Sequence, residues 1–388
     1  MTRRVVVIGG GASGTAAAHA AVKVGARVTM IIGGPGSTSL SSGALDGDVG
    51  AVAVEARAFV EALGIWALGD CRVATSSGLL RSTEGRDLSV LDLHQVAPGT
   101  IGVLDVRRRG WDAAGLARSW TGEPWAIERG LRFEAVAVEA LRHADEDVIP
   151  LADLAARHDD PERVSWVADR LRESKLLSDK CAVVMGPWLG LRPEVASVLT
   201  RALGKPVGEP LSTPGVAAGL RFERARDALL TRLAIGRFDE WAASVQGEEG
   251  DARVTLASGK VVTADAVVMA LGGLTAGGIE WSPATAPCGF KTSLDQPGSV
   301  ALRGKMLDPS GSPAGAVFEK FSWSGGSAPT GMERVGIWTD RDGRARNADG
   351  IPATWLYAAG DIVADAPRRL LESIRAGIVA GARAGRPS

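Results

Sequence analysis

The chain has 388 residues, 45% of them hydrophobic and 23% charged, with 44 Lys and Arg against 45 Asp and Glu. That length holds two domains or one large domain with insertions, and the composition is that of a globular protein with an ordinary core. A net charge of −1 without a long basic run excludes a nucleic-acid-binding footprint, so the short Arg107-Arg108-Arg109 triplet reads as a solvated face. No run of eighteen apolar residues is present to span a membrane. The N-terminal apolar stretch turns into glycines where a signal peptide would be cleaved. Cys71, Cys181 and Cys288 are far apart and form neither a metal or cluster ligand set nor a disulfide framework, which fits a reducing cytoplasm.

The first element is the most informative. Arg4-Val-Val-Val-Ile8 is a β-branched run that ends in Gly9-Gly10-Gly11-Ala12-Ser13-Gly14, and an Ala-rich helical stretch, Thr15 to Lys23, follows. In such a turn Gly9 permits the tight strand-to-helix reversal, Gly11 lets the backbone approach a pyrophosphate, and Gly14 allows close helix–strand packing. The amides opening the helix, at Ala12 and Ser13, then face the phosphate with the helix dipole behind them. Ala26 to Ile32 supplies a second strand, and a Gly- and Ser-rich loop, Gly33 to Gly43, follows it.

Residues 70–205 have mixed patterning, with amphipathic helical stretches such as Pro161 to Leu176, and read as an inserted cap. Regular patterning returns at Leu211-Ser-Thr-Pro-Gly215, followed by a helix through Arg224 to Leu233. Phe238–Gln246, Ala252–Ala257 and Lys260–Thr263 read as three short strands of a meander. Asp265 to Gly273 is an apolar run with the character of a buried parallel strand. After an irregular stretch at 280–345, Trp355 to Asp361 reads as a strand ending in a turn, and Pro367 to Ala384 as a closing helix.

Three of these motifs, in this order, resemble the two-dinucleotide-binding-domain FAD-dependent oxidoreductases: the N-terminal glycine turn, the Ala-Asp-Ala-Val-Val-Met-Ala-Leu-Gly-Gly strand at 264–273, and Leu-Tyr-Ala-Ala-Gly-Asp at 356–361. Within that superfamily, Ser41-Ser42-Gly43-Ala44-Leu45-Asp46, Ser212-Thr-Pro-Gly before a charged helix, Gly236-Arg-Phe238 opening the meander, and Gly272 to Gly278 are similar to segments of the B subunit of anaerobic glycerol-3-phosphate dehydrogenase. The resemblance covers both ends of the chain and skips its middle. It implies an α/β fold: a Rossmann-like FAD-binding domain, parallel sheet plus β-meander, with an inserted α+β cap domain. The segments are then 1–70, 206–279 and 346–388 for the FAD-binding domain, and 71–205 and 280–345 for the cap.

The resemblance also implies a cofactor site. Gly9, Gly11, Ala12, Ser13 and Gly14 form the cofactor-binding turn, with Gly11 and the helix-opening amides at the pyrophosphate, and Gly360 and Asp361 meet the pyrophosphate and ribityl chain. Gly33, Ala270 and Gly272 line the strand ends. Ser41, Ser42 and Gly43 offer donors near the flavin N5, against the plain alternative of a Ser/Gly loop. Val245 holds adenine through its backbone or is a core residue, and Arg375 brings charge to the flavin or is a solvated helix residue. The chain departs from the pattern at Ile32-Gly33-Gly34, where the second strand ends without the usual ribose-binding carboxylate. FAD is the expected cofactor, with FMN as the alternative, and the missing acid weakens an NAD reading.

Four histidines and one tyrosine leave few candidates for the base that alcohol oxidation requires. His94 is the best of them. His19 reads as structural, and His143 and His158 as exposed. Arg221 and Arg224 are candidates for binding a substrate phosphate. The leading expectation is a flavin-binding subunit that works with a catalytic flavin subunit and an iron–sulfur subunit, passing electrons towards quinone. The eleven tryptophans suit such an interface and equally suit a core. The expected location is the cytoplasm, with peripheral attachment to the inner face of the membrane only through a partner. The alternatives are a self-sufficient FAD-dependent oxidoreductase acting on a small hydroxy acid, polyol phosphate or enone, and a non-catalytic scaffold that keeps the fold.

Overall fold

The computed structural model describes residues 2–48, 54–213, 216–248, 250–281, 290–292, 302–303, 335–347 and 349–387. Cys288 and most of the expected second insertion lie outside the described residues. Two compact units emerge: Met1–Thr38, Gly50–Ala62 and Arg226–Ser388 form one, and Ser39–Val49 with Leu63–Ala225 form the other. The expected cap segment, 71–205, falls wholly within the second unit.

The first unit is built on a six-stranded sheet, in the order Arg344–Arg346, Pro352–Ala358, Ala266–Met269, Arg4–Ile8, Arg27–Ile31, Gly236–Phe238. All neighbours are parallel except the Arg344–Arg346 edge. Val5 to Ile8 and Ala266 to Met269 are buried throughout, as expected of central parallel strands covered on both faces. Alternate residues serve opposite layers. Val6 and Ile8 pack with Val245, Val254 and Leu256 of the meander, whereas Val5 and Val7 pack with Ala17, Ala21, Ala380 and Ala384 of two helices.

Those helices, Ala12–Lys23 and Leu370–Gly385, meet along a stripe of small residues. A Cβ on Gly377 or Gly381 would lie 2.1 Å from the carbonyl oxygen of Ser13 or Ala17, so only glycine permits this approach. The meander runs Ala242–Glu248, Asp251–Leu256, Val261–Ala264. Gly236–Phe238 does not open it; this segment pairs in parallel with Arg27–Ile31 in the main sheet, where Phe238 O accepts from Ile32 N at 2.8 Å.

The second unit holds a four-stranded sheet in the order Leu131–Ala137, Gly99–Asp105, Ala182–Val184, Val207–Gly208, parallel throughout, beside the antiparallel hairpin Trp66–Ala74 and Leu80–Asp87. The helices Ala113–Thr121, Pro124–Glu128, Leu151–Arg157, Pro161–Glu173 and Glu194–Leu203 alternate with these strands. The inserted region, expected as α+β, therefore also carries an α/β layer. Counted within the sheet, its order is 2-1-3-4, so Gly99–Asp105 and Ala182–Val184 flank a topological switch point. The helix expected through Arg224 to Leu233 runs Ala217–Arg232. No helix among the described residues is long and apolar enough to cross a membrane.

Candidate functional site

In the first unit the glycines of the N-terminal turn divide their work as their spacing predicts. Gly9 has φ +113°, and a Cβ there would lie 2.1 Å from Ala270 O; one on Gly14 would lie 2.0 Å from Gly9 O. Both are required by the close approach of strand and helix. A Cβ on Gly11, by contrast, would meet only Thr38 Oγ1, at 3.4 Å, and one on Gly36 would lie 3.4 Å from Gly11 N. The helix opens with no side-chain cap from Gly11 and no acid in its first turn. Ala12 N is nevertheless engaged, donating to Thr38 Oγ1 at 3.0 Å, so a hydroxyl stands at one of the amides expected to face a phosphate.

Two further groups converge here from distant sequence. Gly360, at φ +75°, lies so close to Ser13 that a Cβ on it would sit 2.7 Å from Ser13 Cβ. The next residue, Asp361, accepts from Ser373 Oγ through Oδ1 at 2.8 Å. Ser13 Oγ is buried and has no hydrogen-bond partner. A buried hydroxyl in that condition costs about 1–3 kcal/mol. Arg226 is 4% exposed and donates from Nη1 to Gly10 O at 3.1 Å, with Nε on Asp227 at 2.8 Å. It brings a cation to the turn that no spacing in the sequence announces.

The other expected cofactor residues have varied surroundings. Ala270 is 7% exposed and donates to Ile8 O at 2.8 Å; Gly272 adopts φ +76°. The Val245 side chain is fully buried opposite Val254. Arg375 lies on the exposed face of its helix. Gly33, where the second strand ends without an acid, is covered by an indole: a Cβ on Gly33 would fall 2.3 Å from Trp241 Cδ2.

Ser41, Ser42 and Gly43 belong to the second unit. Ser41 Oγ accepts from Gly43 N at 3.2 Å, Gly43 O accepts from Asp87 N at 2.7 Å, and Ser42 O accepts from both N and Oγ of Ser212. His94 is in this unit too. Its ring lies 5.4 Å from that of Trp125, its Nδ1 is 3.2 Å from Asp70 O, and Asp92 Oδ1 caps its backbone.

Arg221 is no binder of a substrate phosphate. Its side chain is fully buried, with Nε on Asp87 Oδ2, Nη1 on Gly190 O and Nη2 on Glu209 Oε1. The remaining carboxylate oxygens are met by Ser89 N and Leu189 N. The network is closed, and burial pushes the Glu209 carboxyl up from the ordinary range. Arg224 is half-exposed and pairs with Asp159.

His158 is not exposed as its charged neighbourhood implied; it is 3% exposed. Nδ1 lies 2.9 Å from Trp188 O, Nε2 has no partner, and burial, with Arg163 nearby, lowers its pKa to about 4. Arg108 is likewise buried rather than solvated, donating to the carbonyls of Glu146 and Ile149 under a cation–π contact with Trp188. His19, buried, packs on Phe59. Among the described residues no cluster of three or more His, Cys, Asp or Glu is placed to hold a metal ion.

No family model matches the chain, and no curated protein matches it. Among solved structures, 3-ketosteroid delta1-dehydrogenase from Sterolibacterium denitrificans is 12% identical, with 99% of each chain covered and a TM-score of 0.37. CtdE in complex with FAD is 11% identical over 79% of this chain and 44% of that one, TM-score 0.29. The peptidyl tryptophan dihydroxylase QhpG is 13% identical over 70% of this chain and 33% of that one, TM-score 0.26. The chain thus spans less than half the length of the last two. Likeness at this level transfers no chemistry. What stands is the architecture itself: a mixed α/β chain with a parallel Rossmann-like sheet and additional antiparallel sheets.

Proposed function

We propose that the chain is a flavin-binding oxidoreductase, holding FAD by the glycine turn of its first unit. The observation that carries this reading is the buried, unpartnered Ser13 hydroxyl at a helix start where Gly9 and Gly14 admit no Cβ and Gly11 does. Gly11, Ser13 and the neighbouring amides hold the diphosphate, Arg226 offsets its charge, and Gly360 and Asp361 supply close backbone approach and a carboxylate for ribityl hydroxyls. Bound flavin supplies the redox chemistry, accepting a reducing equivalent and passing it on; this chain's residues bind and orient it.

The finer reading is a subunit resembling the B subunit of anaerobic glycerol-3-phosphate dehydrogenase, working with a catalytic flavin subunit and an iron–sulfur subunit. Two segments quoted for that resemblance, Ser41–Asp46 and the one beginning at Ser212, are hydrogen-bonded through Ser42 O and Ser212 N at 3.0 Å, which supports it. The histidines also favour a partner for the substrate step: His19 and His158 are buried, and His94 leans on Trp125. Heat release of the ligand from protein purified from its host, identified by mass, tests the flavin reading; a colourless protein that takes up neither FAD nor FMN overturns it. Bleaching by glycerol 3-phosphate only in the presence of copurifying partners is the result expected of the relay, and bleaching by the isolated chain overturns it.

A further inference from the structure

The second strand of a dinucleotide-binding unit ordinarily ends in a carboxylate that holds the adenosine ribose. Here it ends in Ile32-Gly33-Gly34, and an indole lies across the two glycines. A Cβ on Gly33 would fall 2.3–2.7 Å from Trp241 Cδ2, Cε3 and Cγ, and one on Gly34 would fall 3.1 Å from Cζ2 and 3.5 Å from Cη2. The ring therefore spans both residues lengthwise, and Gly33 tolerates no side chain beneath it.

The placement is built in by the backbone. Gly236–Phe238 runs parallel to the second strand and delivers the chain to this edge three residues later. Trp241 O then accepts from Ala257 N at 2.8 Å, which anchors the residue to the meander. The indole is 62% exposed. Among the tryptophans whose side chains are described it is the one that is mostly exposed, since Trp66, Trp111, Trp120, Trp188 and Trp355 are buried and Trp125, Trp166 and Trp338 are partly so. A large apolar ring that lies on backbone and is mostly exposed has the geometry of a stacking platform.

We propose that Trp241 is the nucleobase platform of this site, and that it stands in for the missing carboxylate by stacking the purine of an adenine dinucleotide. The inference rests on the flavin reading above and adds to it the choice of FAD over FMN, because FMN has no base to stack. Base–aromatic stacking contributes about 1–3 kcal/mol, of the same order as the charge-assisted hydrogen bonds a ribose carboxylate provides. The position has therefore exchanged polar for apolar recognition at little cost in affinity.

Calorimetric titration of the full chain, stripped of ligand, with FAD, FMN and ADP tests this. For the wild type, FAD and ADP bind and FMN binds more weakly than FAD. Trp241→Ala is expected to weaken FAD and ADP by about 5- to 150-fold while leaving FMN unchanged, and Trp241→Phe to recover most of the loss. Gly33→Ala, which displaces the ring without removing it, is expected to weaken FAD in the same way, and an unchanged circular dichroism spectrum controls for folding. Equal or tighter binding of FAD by Trp241→Ala overturns the inference. So does a wild type that binds FMN but not ADP, which leaves the flavin reading standing. A wild type that binds none of the three overturns both.

Discussion

The two parallel sheets of this protein finish their central strands in opposite ways. In the first unit, Arg4–Ile8 runs into glycines, a helix start without an acid in its first turn, and a buried hydroxyl without a partner. In the second, the comparable place is the switch point between Gly99–Asp105 and Ala182–Val184, and it is closed by side chains. Trp111 donates to Leu104 O at 2.7 Å, its ring meets that of Trp188 edge-on at 5.3 Å, and the Arg108 cation lies 5.5 Å from the Trp188 ring. The same architecture thus carries a candidate ligand site in one unit and packed aromatic side chains in the other. The end of a doubly wound sheet is lined by small residues with an unmet polar group in one unit and by bulky side chains in the other.

That contrast predicts that variants in the buried charge network and the His158 surroundings of the second unit change stability without touching flavin affinity, and that the balance shifts towards affinity in the first unit. The largest effect is expected from Arg221→Met, which strands the buried carboxyls of Asp87 and Glu209; urea denaturation should show a loss of about 3–5 kcal/mol. A loss under about 1 kcal/mol removes the claim that this network seals the unit.

Next is the acid response of His158. Its folded pKa, about 4, lies below the ordinary 6.5, so the unfolded chain binds the extra proton between these values. Stability is complete above pH 6.5 and falls as pH drops towards 4, by about 3 kcal/mol from this group. Comparing urea midpoints of wild type and His158→Gln across that range isolates the histidine, because acidic groups contribute to both proteins; parallel curves refute the assignment.

In the first unit, Gly14→Ala drives a methyl against Gly9 O. We expect roughly 1–3 kcal/mol of destabilisation together with loss of flavin, read from the melting curve and the absorbance of the purified protein. The smallest effect is the most diagnostic. Ser13→Ala removes a hydroxyl that has no partner in the ligand-free protein, so that protein should melt no earlier than wild type, while flavin affinity drops about fivefold, near 1 kcal/mol. A Ser13→Ala protein that is less stable yet binds flavin normally reverses the contrast between the units.

The elements legible in the sequence are those whose signals are local. A β-branched run, a Gly-x-Gly-x-x-Gly turn and an Ala-rich stretch identify Arg4 to Lys23 with little ambiguity, because positive φ and the exclusion of a Cβ are demands on single residues. The apolar run at 265–273 and the closing helix are legible for the same reason. The middle was not, since strands as short as Ala182–Val184 and Val207–Gly208 have no periodicity to detect. His158 and Arg108 have charged neighbours in sequence and are nonetheless buried, because local charge does not report burial.

One helix shows where such reading stops. Arg221, Arg224 and Arg226 occupy neighbouring turns of Ala217–Arg232, and their composition signal is identical. Arg221 is sealed among Asp87 and Glu209, Arg224 is exposed beside Asp159, and Arg226 is buried against Gly10 O. Helical geometry turns each residue by about 100° from the last, and what each then faces is supplied by segments far away in the chain. The sequence by itself determined the glycine turn, the main parallel strands and the absence of a ribose carboxylate. Only the tertiary structure decided that Trp241 covers the gap, that Arg226 rather than Arg221 serves the turn, and that aromatic side chains pack at the end of the second sheet, because burial and partnership are properties of distant segments brought together.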